Sequence, residues 1–333
     1  MARRLAVVTG WVAQPSARGI HRQTTPLMGG VAIFAAFVLA SAVAAFLSPD
    51  FAFRRFLGYF AGATVIFVMG VIDDRLDLSW FSKLLGQIVA AVLLLASENA
   101  GDILLLTPVG LVLGLFWLVG LTNAMNFLDN MDGLCAGIAA TMALAFAVLA
   151  LLAGQPGTVL ISLALAGAAI GFLRFNFHPA SIFLGDGGSL FLGYSLASLG
   201  VMITRDLDFS WDLLVPVVAV SYPIFDITFV SVTRYLRGQS LAEGGKDHTS
   251  HRLARLLGGA RPTAFATYLI CAATGGLAIV LGLTGIPALT IAAVGVLAVV
   301  FWGFGARLCR LAPVPERTSP ADAEAAVSGP RVP

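Results

Sequence analysis

The sequence predicts an all-α polytopic membrane protein with about ten transmembrane helices. Of the 333 residues, 58% are hydrophobic and 11% are charged, against roughly 25% charged in an ordinary soluble domain. The mean hydropathy is +0.91, and the apolar residues form unbroken runs long enough to cross a bilayer as helices. They do not alternate with polar residues, which argues against a transmembrane barrel.

Ten apolar runs follow one another along the chain, separated by short turns rich in Gly and Pro. The predicted spans are 28–48, 55–72, 83–98, 110–127, 134–153, 158–174, 189–205, 212–234, 263–283 and 287–307. We expect residues 1–311 to form a single transmembrane domain. The Pro-, Ala- and Ser-rich residues 312–333 are expected to form a disordered tail.

The distribution of basic residues predicts the orientation of the chain. An even number of spans places both termini on one side, and all but three of the 20 Lys and Arg residues fall on that side. The exceptions are Arg54, Arg55 and Arg205. By the positive-inside rule this side is cytoplasmic. Four polar clusters also lie at span ends on this side, whereas a transporter is expected to bury charges near mid-membrane.

The first cluster joins the second and third spans. Asp73 and Asp74 end one apolar run, and Lys83 opens the next. Adjacent carboxylates beside a membrane-bounded cleft suit a divalent cation or a general base. The alternative is a solvated loop whose acids cap a helix.

The second cluster, NAMNFLDNMDGL, carries three asparagines and two aspartates between two apolar spans. They are Asn123, Asn126, Asn130, Asp129 and Asp132. If the segment stays helical, the asparagines share one face and the aspartates a neighbouring one. Amides in this arrangement can hold a base edge, a sugar hydroxyl or a phosphate. The alternative is a polar turn broken at Gly133, although a turn needs fewer such residues.

The third cluster precedes the seventh span and contains Asn176 and the stretch GDGGS. Glycines ahead of a helix allow backbone N–H groups to approach a phosphate. Asp186, among these glycines, is a candidate ligand for a metal that bridges phosphates. The alternative is a flexible connector with an Asp or Ser cap.

The fourth cluster lies in the longest cytoplasmic loop, residues 235–262, here called the His loop. It carries His248, His251 and Arg252. No other thiols or imidazoles complete a zinc site, so a basic loop with two imidazoles favours a diphosphate anion. The alternative is a basic loop that only orients the chain. For Asp226, a single acid in the eighth span, structural and functional roles both stay open.

Together the four motifs resemble those of the polyprenyl-phosphate N-acetylhexosamine-1-phosphate transferases, integral membrane enzymes of the glycosyltransferase-4 group. The motifs are DD, NAMNFLDNMDGL, NFHPASIFLGDGGS and DHTSHRL, in that order, and the similarity runs from Ala13 to Leu253. The two-His loop is closer to the undecaprenyl-phosphate GlcNAc-1-phosphate branch than to the three-His loop of the phospho-MurNAc-pentapeptide translocase.

The resemblance assigns roles to residues by position in these motifs. It implies that the catalytic residues are Asp73, Asp74, Asp129 and Asp132, and that Asp186 binds the metal. The substrate-binding residues that it implies are Lys83, Asn123, Asn126, Asn176, His248, His251 and Arg252. The implied cofactor is Mg²⁺, with Mn²⁺ as an alternative.

The implied reaction moves a HexNAc-1-phosphate, in the first place GlcNAc-1-phosphate, from a UDP-sugar to undecaprenyl or another polyprenyl phosphate. UMP leaves, and the lipid-diphospho-sugar enters cell-envelope glycan synthesis. The enzyme is expected in the inner (plasma) membrane as a multi-pass protein with a cytoplasmic active site, no nucleic-acid partner, and a homodimer as an allowed assembly. Alternatives are a phospho-MurNAc-pentapeptide transferase, another UDP-HexNAc transferase, a nucleotide-sugar or anion transporter, or a structural membrane protein.

The sequence departs from the family pattern in three places. The family usually has a membrane helix before the stretch matched from Ala13, where this chain has only twelve residues. Gln14 stands where the family often has Asp, and Asn130 where it commonly has Gly. Asn tolerates the left-handed backbone conformation, so we expect Asn130 to keep the loop intact.

Overall fold

The computed structural model describes residues 11–13, 25–48, 51–98, 107–204, 211–240, 245 and 247–312. The described part is a helical bundle, which confirms the predicted fold class. The long helices are α1 (Gly29–Leu47), α2 (Leu57–Leu76), α3 (Trp80–Glu98), α4 (Pro108–Phe127), α5 (Leu134–Leu152), α6 (Pro156–Asn176) and α7 (Asp186–Thr204). They are followed by α8 (Val215–Ala219), α9 (Ser221–Leu236), α10 (Thr249–Leu257), α11 (Ala260–Thr284) and α12 (Pro287–Leu311).

Short pieces of non-α structure accompany the helices. Strands β1 (Val12–Ala13) and β2 (Thr25–Pro26) pair antiparallel, and a 3₁₀ turn at Phe53–Phe56 leads into α2. The expectations for Gln14, for the first ten residues and for residues 313–333 lie outside the described residues.

In the described part of the chain, nine helices are long and apolar enough to cross a membrane. They correspond to nine of the ten predicted spans. The predicted span 212–234 is not one continuous helix, because it is divided into a 3₁₀ turn at Trp211–Leu214, α8 and α9. The protein is therefore a multi-pass membrane protein whose eighth predicted span is broken.

The break between α8 and α9 has a clear cause in the sequence. Pro223 has no N–H for the carbonyl of Ala219, and its ring conflicts with a regular helical turn there. The Thr274 hydroxyl of α11 lies 3.4 Å from this carbonyl oxygen and donates to it. The same hydroxyl lies 3.1 Å from the Cys271 carbonyl of its own helix, so the two carbonyls share one donor. A neighbouring helix thus places a donor near the backbone group that the break releases, where irregular backbone within a membrane needs one.

Helix α7 lies at the centre of the bundle and packs against α1, α2, α4 and α5. In its apolar stretch 94% of the residues are buried. Small residues allow this close packing: a Cβ at Gly193 would lie 2.8 Å from the Thr122 Cα, and one at Gly30 would lie 2.3 Å from the Gly188 nitrogen. By contrast, only 17% of the α12 stretch is buried, so α12 forms part of the outer surface.

The NAMNFLDNMDGL segment does not continue as one helix. Helix α4 ends at Phe127, and Gly133, with a φ of 75°, precedes α5. The predicted common face of three asparagines is therefore wrong for Asn130, which lies in the turn. Asn130 also lacks a positive φ, so the left-handed conformation that we expected it to tolerate is not used.

The packing of α2 on the start of α7 gives a test of the fold. A Cβ at Gly70 would lie 2.6 Å from the Asp186 carbonyl oxygen and from the Gly187 Cα, so Gly70→Ala must push the two helices apart. We expect a loss of about 1–3 kcal/mol of stability, measured as a lower melting temperature in detergent. Gly120→Ala in α4 is the matched control, since no atom lies within 4 Å of the added Cβ. Equal melting temperatures for the two variants would contradict this packing.

Candidate active site

All four sequence clusters meet at one end of the bundle. Asp74 on α2 bonds to the start of α7, and Asn126 on α4 bonds to Asp186 on α7. The His loop joins them, since the Ser250 hydroxyl lies 2.8 Å from the Asn130 amide oxygen. Residues separated by up to about 180 positions in sequence thus share one polar site at the ends of apolar helices.

Asp73 closes the turn between α2 and α3. Asp77 ends α2 in the left-handed conformation, with a φ of 50°, and the chain then returns so that the Leu78 N–H donates to Asp73 Oδ1 at 2.7 Å. The ammonium of Lys83, within the first turn of α3, donates to Asp73 Oδ2 at 2.9 Å. Both oxygens of this buried carboxylate therefore have a partner.

Lys83 also faces a second carboxylate. Its Nζ lies 3.8 Å from Asp186 Oδ2, and both side chains are about one-third exposed, at 29% and 34%. One cation thus stands between acids from α2 and α7 and stays open to the solvent side of the site.

Asp74 binds the first turn of α7. Its Oδ1 accepts from the Asp186 N–H at 2.7 Å and its Oδ2 from the Gly187 N–H at 3.1 Å. A carboxylate at a helix N-terminus satisfies orphan donors and interacts favourably with the helix dipole. The prediction that these N–H groups are free to approach a phosphate is therefore wrong, because a side chain of the protein already occupies them.

The glycine before α7 explains how Asp74 can come so close. Gly185 has a φ of 74°, a conformation that favours glycine. A Cβ at this position would lie 2.6 Å from Asp74 Oδ2. The glycine-rich stretch thus allows a carboxylate to approach the backbone, rather than leaving the backbone open.

Asn126 sets the orientation of Asp186. Its Nδ2 donates to Asp186 Oδ1 and to the Ser189 hydroxyl, both at 2.9 Å. One amide group thus ties α4 to two residues in the first turn of α7. With Oδ1 held by Asn126, the other oxygen of Asp186 points toward Lys83.

Asn123 lies one turn earlier on α4 and pairs with a residue that the sequence analysis missed. Its Nδ2 donates to Gln87 Oε1 at 2.7 Å and to the Val119 carbonyl, and Gln87 Nε2 donates back to Asn123 Oδ1 at 3.3 Å. Gln87 is buried on α3, four residues after Lys83, and this spacing is the signal that could have identified it. The substrate-binding role of Asn123 stays a prediction, since its amide is engaged between α3 and α4.

Asp129 follows α4 and is half-buried at the edge of the site. Burial raises the pKa of Asp129 well above its usual range, and the negative charges of Asp186, Asp74 and Asp132 raise it further. The carboxylates of the second and third clusters therefore lie close enough to repel one another. A cationic ligand would relieve this repulsion.

Asp132 and Asn176 connect the turn between α4 and α5 to the turn between α6 and α7, instead of pointing freely into the site. Asp132 Oδ2 lies 2.8 Å from His178 Nδ1 and accepts from the Ala180 N–H at 3.0 Å. Asn176 accepts from the Gly133 N–H and donates to the Ile182 carbonyl, each at 3.0 Å. These contacts fix the turns that carry Asp129 and Asp186, and the predicted catalytic and substrate-binding roles of the two residues stay untested.

The two His-loop imidazoles lie at the rim of the site. His248 precedes α10 and packs edge-to-face against Phe127, with ring centroids 6.0 Å apart. His251 lies on α10 with its ring 6.0 Å from that of His248. The structure therefore places His248 beside the end of α4, with His251 next to it.

Arg252 holds the His loop to the end of the bundle. Its guanidinium donates to the Asp247 carbonyl at 3.2 Å and to the Ala312 carbonyl at 3.1 Å. Arg252 is buried, and both of these bonds go to backbone oxygens. Its predicted contact with substrate stays a prediction.

Asp247 was not singled out from the sequence, although it directly precedes His248. Arg234 on α9 donates to its two oxygens at 2.6 and 2.8 Å, and Arg237 donates to Oδ2 at 3.1 Å. Burial by itself would raise the pKa of Asp247, but the hydrogen bonds and charge of Arg234 outweigh it and lower the pKa to about 2. This ion pair fixes the start of α10 against α9.

Within the described residues, no group of three or more His, Cys, Asp and Glu side chains is arranged to hold a metal ion. The fold and site together define a multi-pass membrane protein with a polar, mainly acidic site at the ends of its apolar helices. Lys83 and the histidines at the rim add basic groups to that site.

Comparison with known proteins identifies the family. The sequence profile of glycosyl transferase family 4 matches residues 56–204, which include the first three polar clusters. A Bacillus subtilis protein named "Probable undecaprenyl-phosphate N-acetylglucosaminyl 1-phosphate transferase" is 35% identical over 279 residues, covering 81% of this chain and 77% of the relative. The chain belongs to glycosyl transferase family 4.

Two further relatives differ in the substrates that their names state. A decaprenyl-phosphate N-acetylglucosaminephosphotransferase of Mycobacterium tuberculosis is 36% identical, covering 76% of this chain and 71% of the relative. A phospho-N-acetylmuramoyl-pentapeptide-transferase of Listeria monocytogenes is 33% identical, covering 55% of this chain and 62% of the relative.

The bonds of Asp74 give a second test. In Asp74→Asn the amide can accept one N–H, but its own NH₂ group opposes the other, so the first turn of α7 loses a charge-assisted bond. We expect a loss of about 2 kcal/mol, seen as a lower melting temperature, and faster hydrogen exchange at the Asp186 and Gly187 amides.

Asp77→Asn is the matched control for this substitution. Asp77 is exposed and adopts a left-handed conformation, which Asn tolerates, so neither measurement should change. Unaltered exchange at the start of α7 in Asp74→Asn would contradict the role given to Asp74.

The Asp247 ion pair gives a third test. Asp247→Asn leaves Arg234, only 4% exposed, without its buried counter-charge, and we expect a loss of about 3 kcal/mol. Arg237→Gln removes one bond from a side chain that is 33% exposed and should cost less than about 1 kcal/mol. Melting temperatures in detergent measure both.

The pH dependence of this loss follows from the lowered pKa. The folded pKa of about 2 lies below the roughly 3.9 of a free aspartate, so the ionised carboxylate stabilises the fold above about pH 4. That contribution is lost as the pH falls through the folded value. The difference between wild type and Asp247→Asn should therefore stay constant from about pH 8 to 5; a difference that shrinks in this range would be the contrary result.

Proposed function

We propose that this phosphoglycosyl transferase moves a HexNAc-1-phosphate, in the first place GlcNAc-1-phosphate, from a UDP-sugar to undecaprenyl or another polyprenyl phosphate. The observation that carries the proposal is the position of Lys83, between Asp73 and Asp186 at the ends of apolar helices. Such a site can receive the phosphate of an amphipathic acceptor while its hydrocarbon chain stays in the bilayer.

The bonds that change define what the site must do. An oxygen of the lipid phosphate bonds to the sugar-bearing phosphorus, the phosphoanhydride bond of the UDP-sugar breaks, and the bridging oxygen leaves with UMP. The second pKa of a phosphate is near about 6, so the acceptor is largely a dianion at neutral pH and no proton must be removed. The chemistry therefore depends on alignment and on neutralisation of charge.

The residues of the site divide these tasks. Lys83 is the cation that we propose faces the phosphates, and Asp73 holds its ammonium toward Asp186. Asp74 and Asn126 fix the start of α7 and the direction of the Asp186 carboxylate. We propose that Asp73 orients the lipid phosphate through Lys83, because both of its oxygens are engaged. A covalent route through Asp73 would require it to leave these bonds.

The donor atoms of the site fit Mg²⁺, with Mn²⁺ as an alternative. Mg²⁺ is commonly held by one or two carboxylates together with substrate phosphates and water. Asp186 is the carboxylate that we propose holds it, since its side chain is about one-third exposed. When bound, the ion would neutralise charge on the diphosphate.

The names of the relatives support the choice of substrates. The Bacillus and Mycobacterium proteins are named for transfer of N-acetylglucosamine phosphate to undecaprenyl and decaprenyl phosphate, and each covers about three-quarters of this chain or more. The Listeria protein supports a MurNAc-pentapeptide donor as the second candidate, over a shorter match. The location of the basic residues supports an inner-membrane protein whose site faces the cytoplasm.

The experiment is an assay of the purified protein with undecaprenyl phosphate, Mg²⁺ and a panel of UDP-sugars. We expect UMP release and a lipid product of the matching mass with UDP-GlcNAc, and none after chelation of divalent cations. Asp186→Asn should lower turnover by about 10²-fold or more, whereas Asp77→Asn, exposed at the end of α2, should not.

Three outcomes would change the proposal. Turnover only with UDP-MurNAc-pentapeptide would show that the donor is the second candidate and not UDP-GlcNAc. Full turnover in the presence of a chelator would rule out the proposed metal requirement. Movement of a nucleotide sugar across liposomes without UMP release would replace the transferase with a transporter.

A further inference from the structure

The broken helix α9 carries a fully buried carboxylate. Asp226 has no exposed surface and lies three residues after Pro223, which causes the break. An ionised carboxylate in such a place is costly unless hydrogen bonds or an opposite charge compensate. Its partners therefore show what the residue does.

All the hydrogen bonds of Asp226 in the described structure come from two neighbouring residues of the His loop. Oδ1 accepts from the backbone N–H of Thr249 at 2.9 Å and from the Thr249 hydroxyl. Oδ2 lies 2.7 Å from Nδ1 of His248. The Thr249 hydroxyl is also 2.9 Å from the Tyr222 hydroxyl. A carboxylate oxygen of an ionised group can only accept, so Nδ1 of His248 carries the proton.

We propose that Asp226 is a positioning residue that holds His248 as the Nδ1-protonated tautomer and so leaves the Nε2 lone pair to accept a hydrogen bond from a hydroxyl or amide N–H of the substrate. The ring packs against Phe127, the residue after Asn126, which places the imidazole beside the site. An acid that binds one ring nitrogen sets both the tautomer and the ring orientation. Naming a substrate group as the target rests on the proposed function; the tautomer does not.

Anchoring of the His loop alone does not account for this arrangement. Asp247 already binds the loop to α9 through Arg234 and Arg237, and Arg252 binds it to the end of α12. The two oxygens of Asp226 differ in what they hold. Oδ1 fixes the start of α10 through its bonds to Thr249, whereas Oδ2 contacts only a side chain and does not restrain the backbone. That contact acts on the imidazole.

An isosteric substitution separates the two roles. In Asp226→Asn the amide oxygen can still accept from Thr249, but the NH₂ group then meets His248 Nδ1. Since an NH₂ group only donates, Nδ1 must become the acceptor and the proton moves to Nε2. The variant thus keeps the shape of the contact and reverses the tautomer.

The test is nitrogen NMR of protein labelled with ¹⁵N-histidine in lipid nanodiscs. The chain has four histidines, so the His248 signals can be assigned by their loss in His248→Gln. We expect a protonated Nδ1 and an unprotonated Nε2 in the wild type at a pH at which the ring is neutral, and the reverse in Asp226→Asn. UMP release by Asp226→Asn should fall about 10²-fold or more, with a melting temperature close to that of the wild type.

Tyr222→Phe is the matched control, because it removes a hydrogen bond to Thr249 without touching His248. Both the tautomer and the turnover should then stay unchanged. An Nε2-protonated His248 in the wild type would overturn the proposal, even if Asp226→Asn fails to fold. A reversed tautomer with normal turnover would overturn the positioning role. Absence of UMP release from the wild type with every donor would refute the proposed function and leave the tautomer assignment standing.

Discussion

The site depends on one interaction, the pair of hydrogen bonds from the first turn of α7 to the Asp74 carboxylate. Helix α7 is the most buried span, and its N-terminus begins with Asp186, so the position of this turn decides where that carboxylate lies. The orphan N–H groups of a helix need partners, and a negative group is favourable there. The Asp74 carboxylate supplies both the acceptors for these N–H groups and the negative group. It joins α2 to α7 at the end of the bundle where the other polar clusters meet.

Close backbone packing makes this interaction possible. Gly30 and Gly70 bring α1 and α2 against the first turn of α7, and Gly185 allows Asp74 to reach it. Around this contact, Lys83 and Asn126 position Asp186 from α3 and α4. Four helices, α2, α3, α4 and α7, therefore contribute polar side chains to a site that none could form alone. Their remaining surfaces stay apolar enough for a membrane.

The His loop reaches the same site through a second set of buried acids. Asp226 binds His248 and Thr249, and Asp247 binds two arginines, so two separate carboxylates hold one short helix. The break that Pro223 introduces before Asp226 lies within a predicted span. The buried Asp226 carboxylate receives its hydrogen bonds from one loop, and it therefore couples the broken helix to the position of an imidazole.

The sequence by itself determined the fold class, nine of the ten spans and the four clusters, because hydrophobic run length and motif order are properties of the chain alone. The tertiary structure decided which polar groups pair. Asp73 and Asp74 are neighbours in sequence, yet one binds Lys83 and the other a helix N-terminus, since adjacent residues on a helix point in different directions. Gln87 and the partners of Asp226 also come from distant segments, and contacts between distant segments are set by packing, which no local pattern records.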